Sequence, residues 1–204
     1  MGRPRQPILS VDKIATAALR LVDEGHDLRM GDVAAALGVR PSSLYNHVSG
    51  KADVVEAMRG LIFHDVPRSV DTGADASGWE GRLRSLLRRY RESFARHPRV
   101  IPLLTAQTVS APSVMAMYDE LATVLAGCGV PESRLLDVVT VLDSFVIGSA
   151  LDVAAPDDVW DSSAATTDHL RRAIDASPRG RERADQAFEL GVELLVAGIA
   201  SMTR

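Results

Sequence analysis

The chain reads as all-α, with an N-terminal three-helix helix-turn-helix domain and a larger C-terminal helical domain. Three observations predict this. Apolar residues recur at helical spacing in one segment after another, and no segment shows the alternation of a strand. Residues 29–51, RMGDVAAALGVRPSSLYNHVSGK, also place a small residue, a glycine and an apolar anchor where two steeply crossing helices need them. The first domain is assigned to residues 1–55, with a fourth helix to about 65 as connector, and the second to 66–204, giving about nine or ten helices.

Residues 1–9 hold Arg3, Pro4, Arg5 and Pro7, too short and too proline-rich for a helix. They read either as a frayed end or as an arm reaching phosphates or a minor groove. Ser10 then serves as an N-cap, and Ile14, Ala17, Ala18, Leu21 and Val22 form one stripe that ends at Gly25. In the next helix Val33 and Leu37 share a face beside Ala34, and Val39, Leu44 and Val48 carry the apolar series across a turn. Gly38 suits the positive φ where that helix stops, and Pro41 suits the first turn of the next. Arg40, Ser42, Ser43, Tyr45, Asn46 and His47 are left outward. All can hydrogen-bond to phosphates or base edges, and none is acidic.

Val54, Val55, Met58, Leu61 and Ile62 define the fourth helix, and Pro67 to Gly78 is a turn-rich linker. From Trp79 to His97, Leu83, Leu86, Leu87, Tyr90 and Phe94 share one face, with Arg82, Arg84, Arg88, Arg89, Arg91 and Arg96 mostly on the others. With Glu80 and Glu92 nearby, the arginine run reads as a solvated face rather than a nucleic-acid patch. A short helix follows near Pro102, then one from Ser110 or Pro112 to about Gly127. A longer apolar helix covers Leu135–Val153, a loop holds Trp160, a short amphipathic helix carries Leu170 and Ile174, and a last helix covers Ala184–Met202.

Net charge over the 204 residues is −4, which argues against a whole surface built for nucleic acid. The sign changes along the chain. Residues 1–60 carry eight basic and seven acidic side chains, leaving fifteen and twenty downstream. Cys128 is the only cysteine, which removes disulfide frameworks and cysteine-based zinc sites and fits a reducing cytoplasm. His47, His64, His97 and His169 lack metal-ligand spacing, so no metal or other cofactor is assigned. No membrane span or secretion signal is read. No GxSxG, HExxH or P-loop is present, so the chain is not read as an enzyme.

These residues resemble the tetracycline repressor (TetR) family of bacterial transcription regulators. The likeness rests on IATAALRLVDEG, MGDVAAALGVRPSSLYNHVSGKADVVEAM and FELGVELLVAGI. It covers about residues 8–62, where Gly38, Leu44, Tyr45, His47 and Lys51 stand at the family's separations, and more weakly the C-terminal part, through FVIGSAL. The resemblance implies that Pro41, Ser42, Ser43, Tyr45, Asn46 and His47 face the major groove, with Tyr45 and Lys51 on phosphates. Asp53 would support the start of the fourth helix. Met30 and Gly31 depart from the family's polar residues, which leaves Arg29 as the backbone-contacting candidate there.

The resemblance further implies a cytoplasmic homodimer, bound to double-stranded DNA at a palindromic operator and released by an unknown small-molecule inducer. The dimer helices would be Leu135–Val153 and Ala184–Met202, with Gly191 and Gly198 permitting close approach; the same apolarity also suits a core within one chain. Candidate pocket walls are Phe94, His97, Leu104, Thr108, Met115, Tyr118, Asp143, Phe145 and Ile147. Thr108 stands where the tetracycline repressor has its magnesium-binding histidine, so tetracycline is not the expected ligand. Asp143, inside VVTVLDSFVIG, has three readings: a partner for a cationic or hydroxylated ligand, a partner for an arginine across the dimer, or a helix-edge residue reaching solvent. The other reading of the whole chain is a small-molecule binding or adaptor protein of the same fold without specific DNA binding.

Overall fold

A computed structural model describes residues 9–64 and 78–203. The arm with Arg3 and Arg5, and the linker up to residue 77, lie outside the described residues. Ten α-helices, two 3-10 turns and no strand occur among the described residues: α1 Val11–Asp23, α2 Met30–Ala36, α3 Pro41–Leu44, α4 Lys51–His64, α5 Gly78–Ala95, α6 Ile101–Thr105, α7 Pro112–Gly127, α8 Glu132–Asp152, α9 Asp168–Ala176 and α10 Gly180–Met202.

The chain groups into two compact units whose segments interleave: residues 1–67 with 97–118, and 68–96 with 119–204. In the first unit α1 packs on α4 and α2, and α2 packs on α3. Ser10 caps α1 by accepting from the Lys13 amide at 3.3 Å, and Asp12 in the first turn suits the positive end of the helix dipole. Ile14, Ala18, Val22, Val33, Ala34, Leu44, Val48, Val54, Val55 and Met58 form one buried core.

Residues 97–107 join this unit through polar contacts that no apolar period announces. Arg99 Nη1 donates to the Asp23 carbonyl at 2.5 Å, and His97 Nδ1 lies 2.7 Å from the Asp23 carboxylate. Arg59, buried on α4, donates from Nη2 to the carbonyls of Leu104 at 2.6 Å and Gln107 at 3.2 Å, and from Nε to Glu56 at 2.8 Å. Glu56 in turn accepts from the Ser110 amide at 2.5 Å and from the Ala111 amide. One Glu–Arg pair on α4 therefore adds hydrogen bonds to carbonyls around the end of α6, where Leu104 also accepts from the Gln107 amide at 3.1 Å, and covers amides ahead of α7 that the helix cannot satisfy itself.

In the second unit α5 packs against α8 and α10. Leu83, Leu86, Leu87, Tyr90 and Phe94 meet Leu142, Val146, Phe188, Val192 and Val196 as buried core. The arginine run of α5 is not one solvated face. Arg84 and Arg88 hold Glu193 and Glu189 on α10, Arg91 is buried against Asp185, and Arg181 reaches back to Glu92. Acidic residues at 185, 189 and 193 recur once per turn on α10 and match arginines at 91, 88 and 84 on α5, an antiparallel ladder.

Gly191 is required for the approach of α10 to α8, because a Cβ there would stand 2.4 Å from the Phe145 ring. Gly198 meets nothing within 4 Å. Short α9 buries none of its residues among those described, and Leu170 is exposed.

Candidate nucleic-acid interface

The turn between α2 and α3 follows from Gly38. Its φ of +67° lets its amide donate to the Ala35 carbonyl and the Val39 amide to the Ala34 carbonyl, each at 3.0 Å. This pair of bonds is a Schellman closure, and it satisfies two carbonyls at the end of α2. Ala34 is fully buried, so no larger side chain holds the two helices apart.

Pro41 stands in the first turn of α3, where a missing N–H costs nothing. Only residues 41–44 are α-helical; Tyr45–His47 continue as turns, with the amides of His47 and Val48 returning to the Leu44 carbonyl at 2.9 and 3.1 Å. The recognition segment is thus shorter as a regular helix than its residue pattern indicates.

Leu44 is 0% exposed and Tyr45 is 55% exposed, so adjacent residues divide into anchor and contact. Arg40, Pro41, Ser42, Asn46 and His47 are exposed with Tyr45, while Ser43 is half-buried. Lys51 is exposed as the first residue of α4. Asp53 accepts from the Ser49 amide at 2.6 Å and so closes the entry to α4. That backbone hydrogen bond holds its carboxyl below the usual aspartate range. Arg29 is the extended residue before α2 and pairs with Asp27 at 3.0 Å, both side chains exposed. An exposed pair of this kind is weak and yields readily to a phosphate. The surface therefore offers hydroxyl, amide, imidazole and cationic groups on a short, firmly anchored segment, the chemistry that contacts phosphates and base edges.

The residues expected to wall a ligand pocket divide between the units. His97, Leu104, Thr108, Met115 and Tyr118 belong to the first, and Phe94, Asp143, Phe145 and Ile147 to the second. His97 is engaged with Asp23, Leu104 is core, and Met115 is exposed; Thr108 is exposed and Tyr118 half-buried.

In the second unit Phe94 is buried 5.4 Å from Tyr90. The Tyr90 hydroxyl donates to the Asp143 carboxylate, an intrachain partner beyond the three readings of that residue. Phe145 stacks on Phe188 at 5.5 Å and 9°, and Ile147 is half-buried.

Large apolar side chains stand exposed on both long C-terminal helices: Leu136 and Val141 on α8, and Leu190 and Leu194, one turn apart, on α10. Among the described residues no group of three or more His, Cys, Asp or Glu side chains is placed to hold a metal ion, and no helix is long and apolar enough to cross a membrane. Residue patterns did not single out Arg59, Glu56 or the α5–α10 ladder. The four-residue recurrence of acid on α10 was a readable signal for the ladder; the Arg59 contacts, 45 and 48 residues away in sequence, had none.

Comparison with known proteins agrees with this architecture. A family model described as tetracyclin repressor-like, C-terminal domain, matches residues 72–203. An HTH-type transcriptional regulator of Saccharopolyspora erythraea is 30% identical over 207 residues, covering 96% of this chain and 86% of that protein. The HTH-type transcriptional repressor DrrR1 of Streptomyces coeruleorubidus is 28% identical over 151 residues, covering 73% of this chain. The chain spans only 55% of the length of DrrR1.

Among solved structures, apo ActR from Streptomyces coelicolor superposes with a TM-score of 0.78 at 19% identity, covering 97% of this chain and 98% of that one. ActR in complex with (S)-DNPA gives 0.73 at 21%, covering 97% and 100%. BioQ with its double-stranded DNA operator gives 0.68 at 20%, covering 95% and 99%. At these identities the structures bear on the fold. With a C-terminal match over more than half its length and a helix-turn-helix closed as described, the chain belongs to the tetracycline repressor family of transcription regulators.

Proposed function

We propose that this chain is a homodimeric, sequence-specific DNA-binding repressor that a small molecule releases from a palindromic operator. The observation that carries the reading is the division at residues 44 and 45: a fully buried anchor followed by an exposed tyrosine, beside exposed Arg40, Ser42, Asn46, His47 and Lys51. Pro41 and Ser43 complete the groove-facing set, and Arg29 adds a backbone contact. In functional terms residues 1–55 form the DNA-binding domain, α4 the connector, and residues 66–204 the ligand-binding and dimerisation domain.

Two copies are needed for function. The recognition unit has only three basic side chains between residues 29 and 51, too few for strong binding by a single copy through phosphate neutralisation. Dimerisation through α8 and α10 is supported by exposed Leu136, Val141, Leu190 and Leu194. It would present two recognition segments about one DNA turn apart, roughly 34 Å, and act through effective concentration. The role places the protein in the cytoplasm and gives it no catalytic site.

The ligand is taken by the C-terminal domain around Phe94, Asp143, Phe145 and Ile147, all within the second unit. ActR with (S)-DNPA and BioQ with its operator support a small-molecule and a DNA partner for this fold. Release requires only that the ligand favour a state in which the two heads no longer fit both half-sites. Fluorescence anisotropy with DNA from the protein's own promoter region tests the reading. Saturable binding that resists nonspecific competitor DNA is expected; no preference over competitor at low salt would overturn it.

A further inference from the structure

The last turn of α1 carries a residue of the wrong sign. A helix ends in unsatisfied carbonyls and partial negative charge, so an acid there is unfavourable, yet Asp23 is the final residue of α1. The base of the same turn does not compensate it, because Arg20 pairs with Glu24 at 3.8 Å. A local rule broken without a local gain indicates a partner elsewhere.

Two side chains, 74 and 76 residues away in sequence, supply it. His97 Nδ1 stands 2.7 Å from the Asp23 carboxylate, with the two side chains 25% and 31% exposed. As the carboxylate accepts, the imidazole donates from Nδ1. Arg99 Nη1 donates to the Asp23 carbonyl at 2.5 Å, which places a cation at the negative end of the helix. The same guanidinium lies against Gly25, where a Cβ would stand 3.6 Å from Nη1.

Gly25, at φ +92°, closes α1. Its amide donates to the Val22 carbonyl and the His26 amide to the Leu21 carbonyl, each at 2.9 Å. The chain then runs directly to Arg29, which opens α2. Beyond His97 and Arg99, Val100, Ile101 and Leu104 are buried in the unit that holds α1–α4. The grip on the end of α1 is therefore applied by the first residues that follow the second unit's α5.

We propose that Asp23, His97 and Arg99 form a latch that positions the α1–α2 connection for operator binding, with Asp23 at its centre. The latch fixes where α2 begins, and with it the direction of Arg29 and of the recognition segment packed on α2. Asp23 is a positioning residue that acts through His97, Arg99 and the Gly25 turn. The role rests on the reading that residues 29–51 bind DNA, and it adds residues outside that set.

The test is fluorescence anisotropy of the full chain with its promoter DNA and with nonspecific DNA, beside thermal unfolding. Asp23→Leu removes the acid and brings in a better helix former, so both local rules favour the variant. The latch predicts the opposite for function: operator affinity falls about fivefold or more. Affinity for nonspecific DNA stays within about twofold, because phosphate contacts alone do not read register. His97→Leu is expected to do the same, whereas His97→Gln, which keeps a donor, returns operator affinity to within about twofold of the parent. Asp23→Leu combined with His97→Leu is expected to be no weaker than the weaker single variant, the signature of one shared interaction.

Unchanged operator affinity in Asp23→Leu, with or without a higher melting temperature, overturns the latch. So does an equal loss in His97→Gln and His97→Leu, or an equal loss on both DNAs. If Asp23→Leu does not fold, the two His97 variants decide. A parent without preference for its promoter DNA defeats the DNA-binding reading and this role with it; a parent with that preference, matched by its variants, defeats the latch alone.

Discussion

Replacing Leu44 by alanine removes three carbons from a site with no exposed surface, in a segment with a single α-helical turn. The missing atoms lose their transfer free energy, and the cavity adds to that loss; buried leucine-to-alanine changes cost about 2–5 kcal/mol. The upper half of that range applies here, since the Schellman bonds of Gly38 and the Pro41 start hold the turn in place and limit its collapse. Against a total stability of about 5–15 kcal/mol for a domain, the change is large. At about 4–8 °C per kcal/mol for a domain of about 60–100 residues, the melting transition of the unit containing α1–α4 should fall by well over 10 °C. Scanning calorimetry of parent and Leu44→Ala, beside Tyr45→Ala as the exposed neighbour, measures it. Equal midpoints for parent and Leu44→Ala would refute the anchor assignment, and an equal drop for Tyr45→Ala would refute the division between anchor and contact.

Other perturbations probe different links. Tyr45→Ala and Lys51→Ala should each weaken operator binding with the fold intact. For Lys51→Ala the log–log dependence of affinity on salt should become shallower by about one per subunit; an unchanged slope would remove Lys51 from the phosphate contacts. Glu56 is drawn upward by burial, but the Ser110 and Ala111 amides and Arg59 outweigh this and hold its carboxyl below the ordinary 4.5. With a depressed folded value, its contribution is present above the unfolded pKa and is lost as pH falls through the folded one. Glu56→Gln should therefore be less stable than the parent at neutral pH and show a flatter decline below about pH 4.5, read by urea denaturation at several pH values. Gly191→Ala places a Cβ 2.4 Å from the Phe145 ring. It should cost about 1–3 kcal/mol by overpacking, and Phe145→Leu in the same chain should recover part of the loss.

Much of the fold was legible because local and global preferences agree along most of the chain. Ser10, Gly38 and Pro41 each stand where backbone chemistry allows few alternatives, so helix starts and stops in the first 50 residues were readable. The boundary of α3 was less so, since Tyr45, Asn46 and His47 tolerate turn and helix alike. The arginine run on α5 misled because period and charge describe a helix face without naming its neighbour. Only the packing of α10 against α5 separates buried Arg91 from exposed Arg82 and Arg96. Asp143 likewise had no predictable partner, because Tyr90 lies 53 residues away.

The sequence by itself determined the all-α class, the helix-turn-helix and its exposed polar set, because these follow from spacings of three to seven residues and from the special backbones of glycine and proline. Tertiary structure decided the grouping of residues 97–118 with the first unit, the double capping by Glu56 and Arg59, and the uneven engagement of the α5 arginines. The physical reason is reach. A side chain's partner across tens of residues is set by how helices pack, and the register of acids on α10 against arginines on α5 has meaning only once the two helices lie together.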